Sequence, residues 1–396
     1  MEPRLSPNLI FSLSLRSRDP KFSISISSET NLFNAMNKQR LITELQSKGL
    51  QLVDSTAPMG RKGGAGPSDH RAVTVDGTTV MVPIYTSTAR RSPYNLDLQS
   101  TAASTALKKD ELEIADVSLP KTPKFYDLKT ADGIPYNKIA LLHSKNVLAT
   151  TVQQTCIRYR DESTVCQFCA IEKSLDAGQT IARKTPEQLA EVVEAAVRLD
   201  GIEQVIMTTG TPNSGDRGAA YLTKCAAAIK AAVDVPIQAQ CEPPDDFIWF
   251  EKLKAAGVDS LGMHLEAVEP EVRTKIMPGK AEVPVSYYYE AYEAAVKVFG
   301  WGQVSTYLLA GLGDSFDALV EASEKLVNIG VYPFVVPFVP ISNTPLANHP
   351  APDTDFMFAL YQKVGALIRD SKISSADMKA GCAKCGACSA LSTFEN

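Results

Sequence analysis

The sequence predicts an α/β protein: an open barrel of six βα units, preceded by an α+β module and followed by a cysteine-rich tail. Three observations carry this expectation. From about residue 146, strand-like apolar runs alternate with helical stretches, the pattern of parallel strands joined by right-handed crossovers. Residues 146–345 hold about six units at the ~31 residues per unit of a complete eight-unit barrel. Six of the eight cysteines fall in two short clusters, the first directly after the opening strand of the series. A doubly wound sheet is the alternative that the same alternation allows.

Composition narrows the function classes. The 396-residue chain has a net charge of −5, with 44% apolar and 21% charged residues. These are globular proportions and exclude a mainly disordered chain. The weak acidic balance argues against a broad nucleic-acid surface, which needs a basic footprint. No run of ~18 apolar residues is present to span a membrane. Clustered cysteines in a long chain read as metal ligation in a reducing compartment, and so as a cytoplasmic protein, rather than as a disulfide framework.

Along the chain, residues 1–34 are Ser-rich, lack a cleavage site behind the apolar stretch Leu9–Leu15, and read as a disordered extension before Met36. Residues 35–145 form the accessory module. A helix is expected through Leu41, Ile42, Leu45 and Leu50, and a β-hairpin at Asp76–Gly77. A second Asp–Gly turn falls at Asp132–Gly133. Gly60–Gly66 lacks the ending of a phosphate loop and reads as a plain loop. The barrel strands are expected at 147–152, 204–209, 236–241, 258–265, 304–309 and 331–339. Helices are expected at 186–199, 219–233, 245–256 and 316–329, with start signals at Thr185–Pro186 and Ser315. Gly300–Trp301–Gly302 precedes a strand, the wrong context for a dinucleotide fingerprint, and reads as a turn. A last helix and the second cysteine cluster occupy 346–396.

Cys156, Cys166 and Cys169 follow the first barrel strand, at the carboxyl end where such folds keep their chemistry. Three thiolates can hold three irons of a [4Fe–4S] cube and leave the fourth iron open to a small molecule, whereas a closed zinc site wants four ligands. No histidine lies between residues 144 and 263 to supply a fourth.

Strand, three-cysteine loop and six-unit series together resemble the radical S-adenosylmethionine (SAM) superfamily. Its commonest motif has three residues in the first gap; here there are nine, a spacing that resembles variant branches including the tRNA-modifying elongator type. The resemblance covers residues 146–345. It implies a [4Fe–4S] cluster on the three cysteines, bound S-adenosylmethionine, and a flavodoxin or ferredoxin as electron donor. It places Phe168 near the adenine and Thr209, Gly210 and Thr211 at the methionine amino group. His264 and Glu266 fall in the segment that reads the ribose. Arg273 is placed at the methionine carboxylate, and Gly311 and Asp314 in the fifth-strand motif. Residues 124–169 with the tail also resemble the radical SAM family of bacterial nitrilase-associated gene clusters, which implies a small metabolite in nitrile- or nitrogen-linked metabolism. The alternatives are a tRNA-modifying radical enzyme and a non-catalytic zinc or iron–sulfur protein.

Cys382, Cys385 and Cys388 match the first three positions of a ferredoxin run, with Ser392 where the fourth cysteine would fall. They read as an auxiliary iron–sulfur cluster or a zinc site. Cys225, Cys241 or a non-cysteine group remains open as the fourth ligand. Cys225 otherwise reads as a buried small hydrophobe. Glu242, after the third strand, is a candidate substrate contact. His70, His143 and His349 show no metal spacing, and no residue is singled out as catalytic.

Overall fold

The computed structural model describes residues 38–52, 63–64, 68–96 and 105–395. The segment 1–34 and most of the Gly60–Gly66 loop lie outside them. Helix α1 (residues 38–48) buries Ile42 and Leu45 against a six-stranded sheet. Its strands are β1 (Gln51–Leu52), β2 (His70–Val75), β3 (Thr78–Pro83), β4 (Tyr94–Leu96), β5 (Thr105–Lys109) and β6 (Leu112–Ser118), in the order β1-β4-β5-β6-β2-β3. Asp76 (φ 45°) and Gly77 (φ 76°) close the β2–β3 hairpin with both central residues left-handed, as a type I′ turn requires. The Asp132–Gly133 turn is also present, but short 3-10 turns flank it rather than strands.

The second sheet holds β7 (Leu141–His143), β8 (Val147–Thr151), β9 (Gln204–Thr208), β10 (Ile237–Gln240), β11 (Ser260–Gly262), β12 (Val304–Ala310) and β13 (Val331–Pro337), neighbours in that order. Strands β8 to β13 are parallel, and the sheet curls into a six-unit partial barrel. Strand β7, which the sequence places in the accessory module, instead pairs antiparallel with β8 as the barrel's edge.

The connecting helices are α2 (Lys173–Asp176), α3 (Pro186–Asp200), α4 (Ala219–Ala232), α5 (Ile248–Ala255), α6 (Pro270–Ile276), α7 (Pro278–Ala281), α8 (Val285–Phe299) and α9 (Phe316–Asn328). Helices α10 (Thr354–Asp370) and α11 (Cys382–Cys385) follow β13. Helix α3 starts at a capping box between Thr185 and Gln188 and stops at left-handed Gly201. Its buried Leu189, Val192 and Val193 each contribute roughly 1.5–3 kcal/mol. Two elements are shorter than expected. Strand β11 yields to a loop in which Glu266 sits at φ 67°, and the side chain of Asp246 accepts from the Ile248 amide (2.9 Å) at the start of α5.

The tail crosses the amino-terminal ends of the barrel strands on a ladder of buried polar side chains. Gln303 donates to Asp377 O (3.0 Å) and accepts from Lys379 N (3.0 Å). Ser260 accepts from Ala380 N (3.4 Å), Gln204 from Gly381 N (2.6 Å) and Gln238 from Cys382 N (3.2 Å). Glutamines in a core would be costly unpaired, and the tail backbone pairs them. From the other side, Ala387 O accepts from Met81 N (2.7 Å) and Gln46 Nε2 (3.2 Å), which ties tail to accessory module.

Two predictions follow from this packing. Gly381 has φ +117°, and a Cβ there would lie 2.1–2.5 Å from three Gln238 side-chain atoms. Gly381→Ala should therefore cost about 1–3 kcal/mol and lower the calorimetric Tm by several degrees; an unchanged Tm would show that the tail is not seated on Gln238. In the accessory module, Glu44 accepts from the Tyr94 hydroxyl and from Arg40 Nε (3.0 Å), with Lys48 at 3.2 Å. Burial works to raise this carboxyl, but the hydrogen bonds from Tyr94, Arg40 and Lys48 outweigh burial and hold it at about 2, below its ordinary 4.5. Its folded pKa being depressed, Glu44 contributes stability that is full above pH 4.5 and lost as pH falls toward 2. Glu44→Gln should flatten the Tm-versus-pH curve across that window, and an unaltered slope would contradict the assignment.

Candidate active site

The loop after β8 carries the first three cysteines. Cys156 lies beyond the strand, which ends at Thr151. The backbone anchors the loop at several points. Ile157 N donates to Thr211 O (2.9 Å), Gly210 N to Gln153 O (2.8 Å), and Gln167 N to Ile276 O (2.8 Å). Gly210 is required here because a Cβ would stand 2.2 Å from Thr155 O. Likewise Gly63, from the glycine-rich loop, lies so close to Ala170 that a Cβ would be 1.8 Å from its carbonyl oxygen.

A cavity of about 420 Å³ opens inside the barrel. Cys156, Cys166, Phe168 and Cys169 line one part of it, and Cys382 and Cys388 another. Thr209, Gly210, Thr211, Glu242, His264 and Glu266 complete much of the wall. The structure thus brings both cysteine clusters, far apart in sequence, to one space. Cys385 is partly buried beside Ala72 and Met81 and is not among the residues that line the cavity. Cys225 is buried on α4, and Cys241 lines the cavity.

Two ion pairs set the electrostatics. Arg158 pairs with Glu242, and Thr211 Oγ1 donates to the same carboxylate oxygen at 2.5 Å. The other oxygen, Glu242 Oε2, is buried without a protein partner. Lys280 Nζ meets Glu266 Oε2 at 2.8 Å. Burial would lower the Lys280 ammonium, but Glu266 beside it raises it above the ordinary value and keeps it charged. Neither Arg158 nor Lys280 was singled out from sequence, and nothing in their spacing distinguishes them. His264 accepts from Tyr307 N (3.3 Å) and stands edge-on to the Tyr307 ring, and burial pushes it down to about 3, so it is neutral.

Three residues expected at the cofactor serve other ends. Arg273 does not line the cavity. Its Nη1 donates to Leu265 O (2.7 Å) and Ala267 O (3.0 Å), and its Nη2 to Lys280 O (3.4 Å) and Val283 O (3.3 Å). With its donors spent on carbonyls, it has no fork left for a carboxylate. Asp314 accepts from Val268 N (3.1 Å) and Glu269 N (2.7 Å). Gly311 packs on Pro352 and offers its carbonyl to His349 (2.8 Å). Arg273 and Asp314 together brace the 263–269 loop and so position His264 and Glu266.

The thiols are suited to soft metal. All eight cysteines are free. Burial pushes Cys169 up to about 12 and Cys382 up to about 11, and raises Cys166 and Cys388 well above the ordinary thiol value. Such thiols stay protonated unless a metal stabilises the thiolate. Among the described residues, no three His, Cys, Asp or Glu side chains stand together as a group that could hold a metal ion. The front triad has three soft donors, an adjacent buried lysine and no fourth protein ligand in its loop. That set fits a [4Fe–4S] cluster with one free iron.

Comparison with known proteins agrees with this donor set. The family model of the Radical SAM superfamily matches residues 156–326, from the first cysteine through most of α9. Residues 156–326 are thus a radical SAM domain. The chain is an enzyme of that class, whose cofactors are a [4Fe–4S] cluster and S-adenosylmethionine. A relative, the bacteriochlorophyllide c C-7(1)-hydroxylase of Chlorobaculum limnaeum, is 25% identical over 361 residues, spanning 84% of this chain and 87% of that protein. Among solved structures, HydG, a maturase of the [FeFe]-hydrogenase, matches with TM-score 0.45 and 16% identity over 57% of this chain and 49% of that one. A radical SAM methyltransferase from Sphaerobacter thermophilus matches with TM-score 0.45 and 15% identity over 70% of this chain and 77% of that one. Among the described residues, no helix is long and apolar enough to cross a membrane.

The bracing role of Arg273 is testable. Arg273→Ala strands buried carbonyls and should cost about 3 kcal/mol or more, lowering Tm before cofactor is added. A variant of unchanged Tm with weakened S-adenosylmethionine binding would restore the carboxylate-binding role.

Proposed function

We propose that this radical SAM enzyme removes a hydrogen atom from a small metabolite held between the two cysteine clusters. The observation that carries the reading is one cavity lined by Cys156, Cys166 and Cys169, by Cys382 and Cys388 of the tail, and by Glu242, Glu266 and Lys280. When bound together, the [4Fe–4S] cluster and S-adenosylmethionine supply a 5′-deoxyadenosyl radical by reductive cleavage of a C–S bond.

The chain's own residues do the positioning. Cys156, Cys166 and Cys169 hold the cluster, and Cys382, Cys385 and Cys388 hold a second soft-metal centre, read here as an auxiliary iron–sulfur cluster. Phe168 offers an apolar face to the adenine. Gly210 and Thr211 lie against the first loop, with carbonyls and amides close to the triad. Glu242 keeps one oxygen fixed by Arg158 and Thr211 and presents the other for an ammonium or hydroxyl group. Glu266 is held by Lys280 for the ribose or substrate. The apolar remainder of the wall excludes water from a reactive radical.

A relative named as a hydroxylase at carbon supports chemistry at a carbon centre of the substrate. The likeness of residues 124–169 and the tail to the nitrilase-associated family supports a metabolite of nitrile- or nitrogen-linked metabolism. A low-potential flavodoxin or ferredoxin in the cytoplasm supplies the electron, and the net charge of −5 disfavours a nucleic-acid substrate.

Anaerobic reconstitution should load ~4 irons on the front triad and up to ~8 with both centres. The reduced protein should convert S-adenosylmethionine to 5′-deoxyadenosine, measured by chromatography. Cys166→Ala should abolish this conversion, whereas Cys385→Ala should leave the front cluster and its cofactor binding in place. A fully loaded, reduced protein that binds the cofactor without ever cleaving it would sink the proposal.

A further inference from the structure

The tail triad has three cysteines and no fourth, and the sequence offers none in register. The structure brings a candidate from elsewhere. His143 ends the short edge strand β7, and its Nε2 lies 3.3 Å from Cys388 Sγ. The side chain is 8% exposed and lines the same cavity as Cys382 and Cys388. Its other ring nitrogen, Nδ1, is buried without a partner. Among the described residues, no carbonyl, carboxylate or hydroxyl holds this imidazole, and the Cys388 thiol is its hydrogen-bond partner. A buried imidazole so poorly satisfied is costly unless something else completes it.

The neighbouring groups strengthen the placement. Ser144, at the tip of the β7–β8 hairpin, hydrogen-bonds Cys385 through its side chain. Gln240 Nε2 reaches Cys382 Sγ at 3.1 Å, and the Tyr307 hydroxyl touches Cys382 and Cys388. Each thiol of the tail therefore has a barrel group beside it, and His143 is the one among these whose donor atom is a soft-metal ligand by type.

We infer that His143 is the fourth protein ligand of the centre held by Cys382, Cys385 and Cys388, giving a closed Cys₃His set. The inference rests on the proposal that the tail cysteines hold metal. It separates the two triads by role. The front one keeps an open metal position for cofactor, and the rear one is saturated by protein and binds no substrate directly. Thiolate and imidazole together suit an iron–sulfur cluster or a zinc ion, and the test distinguishes them.

The test uses the full chain carrying Cys156→Ala, Cys166→Ala and Cys169→Ala, so that the tail alone holds metal. It is loaded anaerobically, in separate arms, with iron plus sulfide and with zinc. Metal and sulfide content are measured. The iron product is examined by pulsed electron paramagnetic resonance for ¹⁴N coupling, and the zinc product by X-ray absorption.

The expected result is one centre with three sulfur ligands and one imidazole nitrogen. His143→Ala should lose the nitrogen signal and weaken metal retention by at least about tenfold, a scale that loss of a supporting contact already reaches. His143→Cys should recover retention with an all-sulfur shell. Tail metal without nitrogen ligation would overturn the inference and leave the tail-metal proposal standing. No tail metal in either arm would overturn both. Zinc bound through nitrogen, with no iron–sulfur cluster formed, would uphold His143 and overturn the second cluster.

Discussion

The seating of the tail on the polar side chains at the barrel's amino-terminal end is the constraint on which the rest depends. A parallel barrel of this kind normally fills its interior with branched apolar residues. Here Gln204, Gln238 and Gln240 are buried instead, with Ser260 and Gln303 beside them. Gln204, Gln238, Ser260 and Gln303 each meet a peptide group of residues 377–382, and Gln240 meets the Cys382 thiol. The exchange is mutual at Ala380 and Gly381, whose buried amides need these partners. Gly381 permits the approach, and Met81 and Gln46 hold Ala387 from the opposite side. The accessory sheet, the barrel and the tail are thereby locked into one site.

That lock places the front triad and two cysteines of the tail triad, Cys382 and Cys388, on one cavity and surrounds them with charge that is already paired. Arg158 with Glu242 and Lys280 with Glu266 are buried ion pairs, which add little net stability by themselves because desolvation offsets their attraction. Their value is orientation. Each keeps a carboxylate fixed at the cavity wall, so that little reorganisation is needed when a polar ligand arrives. Glu266 holds a left-handed backbone at the end of β11, and such strain persists only where surrounding contacts enforce it. Arg273 and Asp314 supply those contacts from behind, through the carbonyls and amides of the 263–269 loop. The residues nearest the cavity are thus held by residues that never touch it.

Much of the barrel was legible because buried parallel strands read as continuous apolar runs, and β8, β9, β12 and β13 do so. The helix caps at Thr185 and Ser315 were equally plain, being local hydrogen-bond chemistry between residues three apart. The front triad's place after a strand, at the wall of the barrel cavity, was legible from the order of strand and cysteines. The tail's destination was not. Glutamines on strands look like solvent-facing residues, and the partners that bury them lie far away in sequence. Arg273 was misread for a related reason: a guanidinium seven residues past Glu266 suits a carboxylate or four carbonyls equally well, and only the fold selects between them. Lys280 and Arg158 carried no signal because an isolated cation gains its meaning from the anion opposite. His143 was dismissed for lack of metal spacing, yet its thiol neighbour lies near the other end of the chain.

The central claim is that both triads face one cavity, each holding its own metal. Anomalous X-ray scattering at the iron and zinc edges, on crystals of the anaerobically loaded enzyme, tests it most directly. The account predicts two metal peaks on facing walls of the same cavity, one at Cys156, Cys166 and Cys169 and the other at Cys382, Cys385 and Cys388. A single peak at the front triad, with the tail cysteines metal-free or turned away from the cavity, would contradict it.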